Sequence, residues 1–92
     1  TPGHTPGHTS LAINSNGENG FVLGDVAHSP AQAHYTDWNP NFDVDQELSR
    51  ETRNQVLDEL EGQGTLVQAG HFPEPGFGRF SRENNRRYWL GV

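Results

Sequence analysis

Two imidazoles and one carboxylate occupy comparable places along this chain, each with a glycine immediately before it: Gly3-His4, Gly24-Asp25 and Gly70-His71. Together they form a borderline-hard donor set suited to Zn²⁺, Mn²⁺ or Fe²⁺. Taken singly, each has a plainer reading as a surface or core histidine, or as the aspartate of a turn. Their joint occurrence after glycine singles them out, because glycine relieves backbone crowding and permits φ/ψ values that turn a side chain into a cleft. His4 and His8 are spaced i, i+4, which on a helix would give a zinc pair on one face. Pro2, Gly3, Pro6 and Gly7 forbid that helix, so the two histidines need different roles. His28 and His34 fall in a long loop and are secondary metal candidates.

Short strands and one helix must position these groups. Leu11-Ala12-Ile13 reads as a strand and Asn16-Gly17 as a hairpin turn. Phe21-Val22-Leu23 reads as the return strand, an apolar run of the kind buried on both faces. It stops at Gly24-Asp25. From Val26 to Phe42 a loop is broken by Pro30 and Pro40 and anchored by Tyr35, Trp38 and Phe42, the pattern of a packed, functional loop. Asp45 or Ser49 can cap a helix running to about Glu61, with Leu48, Val56, Leu57 and Leu60 as its apolar stripe and Gly62 and Gly64 ending it. Thr65–Ala69 is a further strand, with His71 just beyond it. The prolines and glycines of FPEPGFGRF predict loop throughout, and Arg87–Leu90 predicts a closing strand. The class is α/β, in the order β-β-long loop-α-β-β. His4 precedes one strand, and Asp25 and His71 follow two others, which is how a sheet holds ligands rigidly at an open rim.

Composition narrows the function. The 92 residues predict one small domain, and only 30% of them are hydrophobic, which is thin material for a core. Without cysteine there is neither a disulfide framework nor a thiolate metal site. A net charge of -6 argues against nucleic-acid and anionic-membrane partners. The cluster Arg79, Arg82, Arg86 and Arg87 reads as a solvated face. No apolar run reaches membrane-spanning length and no signal-peptide pattern is present. The compartment stays open, with the cytoplasm favoured over the periplasm or export. The chain contains no methionine, and it is expected to be part of something longer.

The stretches TPGHTPGHTS, FVLGD and VQAGHFPEPGFGRF, in that order and spacing, resemble the second half of a metallo-β-lactamase-fold hydrolase. The methyl parathion hydrolase-like and acyl-homoserine-lactonase-like branches are the nearer likeness. DVAHSPAQ, the tryptophan-bearing loop and a helix with a Thr-Arg pair fit the same pattern. The resemblance covers residues 1–92 as a partial domain, the C-terminal half of an αββα sandwich. It implies a dinuclear site for two divalent metal ions, Zn first and Mn or Fe as alternatives. His4 would bind the first ion, and His71 the second. Asp25 would bridge both and hold the metal-bound hydroxide, and His8 would brace the loop by hydrogen bonds. The implied activity is hydrolysis of an ester, lactone, amide or phosphotriester bond in a small-molecule substrate. In that chemistry the ions lower the pKa of water and polarise the scissile oxygen. Trp38, Phe72 and Phe77 are candidates for the substrate pocket.

One departure is large. The H-x-H-x-D-H motif of such hydrolases is missing from these residues. Each ion would therefore keep two protein ligands, where a catalytic zinc usually has three plus water. The chain alone is expected to be marginally stable, to bind metal weakly, to turn over little, and to expose a sheet edge and an uncovered sheet face. Two other readings stay open. One is a non-catalytic binding module or degenerate relative that retains the loops. The other is a mononuclear zinc domain using His4, Asp25, His71 and either His28 or His34, provided the long loop folds back.

Overall fold

The computed structural model describes residues 1–41 and 43–92; Phe42, an expected loop anchor, lies outside the described residues. The chain runs β1 (Leu11–Ser15), β2 (Glu18–Val22), α1 (Gln46–Gln63), β3 (Leu66–Gln68), β4 (Phe77–Glu83) and β5 (Arg86–Gly91). Two 3-10 turns, Gly24–Val26 and Pro30–Ala33, punctuate the long loop between β2 and α1. The strands form one sheet in chain order. β2 and β3 are parallel and joined through α1, and the other neighbours are antiparallel. At the first hairpin Asn16 and Gly17 both take positive φ, 51° and 79°, as a two-residue turn matched to strand twist demands.

Helix α1 starts at Asp45, whose carboxylate accepts the Leu48 N–H at 3.0 Å. It ends at Gly64 in the left-handed region, φ 62°, so Gly62 is carried inside the helix rather than ending it. Leu57 and Leu60 bury against the sheet, with Val56 at their margin. Among the described residues they meet Leu23, Val26, Ala27, Ala33, Val67, Ala69, Phe72 and Phe80 in one core. Phe72, Phe80 and Trp89 pack edge to face there, with centroids 4.8–6.4 Å apart.

Three expectations need correction. FPEPGFGRF is not loop throughout, because its second half enters β4, which is paired to β3 on one side and β5 on the other. Gly78 is no strand breaker: a Cβ there would lie 2.3 Å from Leu90 O and 2.8 Å from the Trp89 ring, so the indole lies where a side chain would be. A second tight turn, Asn84-Asn85 with φ 53° and 61°, then returns the chain into β5. Next, the arginine cluster is a solvated face at three of its four positions, since Arg79, Arg82 and Arg86 are exposed and Arg87 is not. Arg87 is buried, donating to Glu61 at 2.9 Å and Ala33 O at 3.2 Å and pairing with Asp58. Arg82 donates to Glu61 at 3.0 Å, Arg79 to Gly64 O at 3.1 Å, and Arg86 lies over Tyr35 and Tyr88. Arg82 and Arg87 fasten the last hairpin to the helix through Glu61 and Asp58. Finally, of Phe21-Val22-Leu23 only Leu23 is fully buried.

Phe21 packs at the margin of the core, whereas Val22 stays partly exposed because one sheet face is open. Register places Leu11, Ile13, Val22, Leu66, Gln68, Phe77, Tyr88 and Leu90 on the face away from α1. Leu11, Ile13, Phe77, Tyr88 and Leu90 are all exposed there, and β1 and β5 are edge strands. Among the described residues, no helix is long and apolar enough to cross a membrane.

Candidate metal centre

Asp25 lies just past β2, at the first 3-10 turn. Gly24 before it has φ +63°, and a Cβ there would fall 2.7 Å from His8 Nε2. His8 comes this close because its Nε2 accepts the Asp25 N–H at 2.8 Å, while its Nδ1–H donates to Thr1 O at 2.9 Å. Its acceptor nitrogen is therefore turned onto the backbone of Asp25. Gly3 has φ +140° and sits flush on Ser49, whose Cα would be 2.4 Å from an added Cβ. Gly70 has neither a positive φ nor a close neighbour, so the preceding glycine is conformationally required at His4 and Asp25 but not at His71.

Around the Asp25 carboxylate three imidazoles converge. Oδ2 lies 3.4 Å from His4 Nε2, and Oδ1 accepts from His71 Nε2 at 2.6 Å. His28 Nε2 lies 3.5 Å from Oδ1, and its ring sits between the others, 5.1 Å from His4 and 4.8 Å from His71. His4 and His28 are largely enclosed and His71 is half open, so the cluster has a closed floor and an accessible rim. Burial acts to raise the Asp25 pKa, but the hydrogen bond from His71 and the potential of His4, His28 and His71 outweigh it and hold the carboxyl below its usual value. For His28 burial dominates and lowers the pKa against the opposing pull of Asp25, which favours the neutral, lone-pair-bearing ring.

The support behind His4 includes a residue that sequence reasoning missed. His4 Nδ1–H donates to Asp43 Oδ1 at 2.7 Å, which turns the Nε2 lone pair toward Asp25. Such a buried carboxylate behind an imidazole fixes both tautomer and aim. The other Asp43 oxygen accepts Ser49 Oγ–H at 2.9 Å and lies 3.7 Å from Arg53 Nη2. Arg53 is wholly buried, and burial lowers its pKa against the pull of Asp43. It donates to Val26 O at 2.7 Å, Thr36 O at 2.7 Å, Trp38 O at 3.1 Å, Asn39 Oδ1 at 2.9 Å and Ser49 Oγ at 3.0 Å. One guanidinium thus fastens the long loop and backs the Asp43 carboxylate that supports His4. The opening loop is pinned to the helix start by Val44 N–H to His4 O, Asp45 N–H to Gly3 O and Thr52 Oγ–H to Pro2 O. Asp43 leaves one sequence signal, an acidic residue two before the helix cap.

Other expected site residues lie elsewhere. Phe72, a pocket candidate from its place beside His71, is buried in the core against Trp89, because the turn after His71 folds it inward. Phe77 stands on the open sheet face opposite Gln68. Trp38 is exposed and stacks on Tyr35 at 4.3 Å, so its ring partner is a tyrosine and not the cluster. His34 likewise packs edge-on against Tyr35 at 4.9 Å.

No family model and no curated protein matches the sequence. Solved structures do match, and they define a class: the chain has the fold of part of a metallo-β-lactamase-superfamily hydrolase. One is AidC, a dizinc quorum-quenching lactonase in complex with a product, N-hexnoyl-L-homoserine, at TM-score 0.91 and 28% identity. The match covers 99% of this chain and 31% of that one. Another is the hydrolase AbOPH of the β-lactamase superfamily, at TM-score 0.91 and 29% identity, covering 98% of this chain and 32% of that one. A probable metal-dependent hydrolase from Staphylococcus aureus shares the fold at TM-score 0.80 and 19% identity, again over 98% of this chain and 32% of that one. The chain thus spans about a third of the length of each structure.

Proposed function

We propose that residues 1–92 are the C-terminal portion of a dinuclear metal-dependent hydrolase acting on an ester, lactone or phosphotriester bond of a small molecule. The observation that carries this reading is the Asp25 carboxylate, whose two oxygens each face a different imidazole, His4 at 3.4 Å and His71 at 2.6 Å. That disposition supports a carboxylate shared between two ions, and two imidazoles with one carboxylate suit zinc. The open apolar sheet face fits the same reading, as the surface a second sheet of a sandwich would cover.

In this reading His4 would hold one ion and His71 the other, with Asp25 shared between them. Asp43 keeps the His4 Nδ1 proton in place and so aims Nε2 at the ion. His8 sets the position of Asp25 through its backbone N–H. Two divalent ions bound there supply a nucleophile from water at neutral pH and polarise the scissile oxygen. The half-open rim at His71 is the side from which substrate reaches the cluster.

The test is metal content and hydrolysis in the longer protein that brings an H-x-H-x-D-H motif. Two ions per chain and turnover of a lactone, an aryl ester or a phosphotriester are expected. Asp25→Ala should leave fewer than two ions and remove that turnover. Unchanged metal content in Asp25→Ala would overturn the assignment.

A further inference from the structure

His28 has no role in the two-ion assignment, yet its ring lies at the centre of the cluster. It follows the Asp25 turn by three residues, and the loop that carries it is folded back and locked. Its N–H donates to Gln32 Oε1 at 2.5 Å, and the Ser29 N–H donates to the same oxygen at 3.1 Å. Gln32 is buried and its amide donates to Trp38 O at 2.7 Å, the carbonyl that Arg53 also holds. The ring is thereby enclosed to 15% side-chain exposure, with Nε2 turned to Asp25.

One donor atom each from His4, Asp25 and His28 lie within 4.8 Å of one another. Donors bound at about 2.0–2.2 Å to one tetrahedral ion are about 3.4 Å apart, so a small inward movement of these side chains closes the set. His34, the other loop histidine, stands outside it against Tyr35.

We propose that His28 is a metal ligand, and that His4, Asp25 and His28 hold a single divalent transition ion without any residue from outside this chain. Two imidazoles and one carboxylate leave coordination positions open, as zinc and non-haem iron sites do. His71, more exposed and hydrogen-bonded to Oδ1, orients the carboxylate in that state instead of completing the set. The inference shares His4 and Asp25 with the proposed function but needs neither the second ion nor hydrolytic activity.

The experiment is a Co²⁺ titration of the 92-residue chain followed by visible d–d absorption, repeated with Zn²⁺ by calorimetry. Far-UV dichroism confirms that each variant is folded. One ion per chain is expected. His28→Ala and His28→Gln should each weaken binding by at least about 10-fold and change the Co²⁺ spectrum, because a lost ligand costs no less than a lost supporting residue. His34→Ala should change neither. In the unaltered chain, the His28 Nε2 nitrogen resonance should move to the metal-bound range on adding Zn²⁺, which needs no substitution. Unchanged affinity and spectrum in both His28 variants, an unmoved resonance, or no binding at all would overturn the proposal. If the His28 variants bind normally while Asp25→Ala does not, His28 is no ligand and the dinuclear reading survives. If Asp25→Ala also binds normally, both fail.

Discussion

Replacing Arg53 by alanine should bring this domain close to unfolding. The guanidinium is wholly buried and its charge faces Asp43, whose side chain is also fully enclosed. Removing one member of a buried pair leaves the other charge uncompensated, at about 3–5 kcal/mol. The carbonyls of Val26, Thr36 and Trp38 lose their Arg53 donors as well. At 92 residues the whole stability is about 5–14 kcal/mol, from roughly 0.05–0.15 kcal/mol per residue. A loss of that size lowers the midpoint of thermal unfolding by about 12–40 °C, at about 4–8 °C per kcal/mol. The assay is urea and thermal unfolding by far-UV dichroism with chelator present, so that metal linkage does not contribute. Arg53→Lys should fall between, since an ammonium restores the charge but not the planar fork. The double variant Arg53→Met with Asp43→Asn should lose less than the two single losses added, because it removes both charges. A loss below about 1 kcal/mol for Arg53→Ala would refute the reasoning, since exposed ion pairs contribute only that much.

Gly24→Ala should cost about 1–3 kcal/mol, because φ +63° is strained for a side chain and the new methyl would meet His8 at 2.7 Å; in metal titrations it should also weaken binding by displacing Asp25. His8→Ala should mainly lower stability, by about 1–3 kcal/mol for the unpaired Asp25 N–H, with metal stoichiometry intact; loss of an ion instead would reverse the assigned roles of His8 and Asp25. For Glu61, the hydrogen bond from Arg82 lowers the pKa most, partial burial raises it less, and Arg87 lowers it further. A depressed folded pKa means that its stabilisation is full above the ordinary value of 4.5 and is lost as pH falls through the folded value. Urea midpoints measured from about pH 5 down to pH 3 should therefore fall more steeply in the unaltered chain than in Glu61→Gln.

Features governed by local rules were legible in the sequence. The helix shows its cap at Asp45 and its stripe at Val56, Leu57 and Leu60, and the first hairpin shows its turn at Asn16-Gly17. Gly3 and Gly24 announced loops that present a side chain, and both do take positive φ. What escaped depends on partners far along the chain. Gly78 reads as a breaker until Trp89 is laid across it. Arg87 reads as solvated until Glu61 and Asp58 are brought over it by the helix. Asp43 looks like a loop acid, and only folding of the opening loop onto α1 puts it behind His4. His28 belongs to the same class, because its approach to Asp25 depends on how Gln32 and Arg53 fold the loop back. Phe72 was misplaced for the converse reason: adjacency to His71 says nothing about which way the next side chain points.

The shared fastening at Arg53 has a consequence for motion. The segment that carries His28 and the support of His4 depend on one buried guanidinium, so neither can open alone without giving up bonds held by the other. Amide hydrogens from Val26 to Asn39 and those at the start of α1 should then exchange as one cooperative unit. An ion gripped by both histidines would raise the protection of both segments together, through preferential binding to the closed state. A metal bound there would act as a clasp on the loop that holds it.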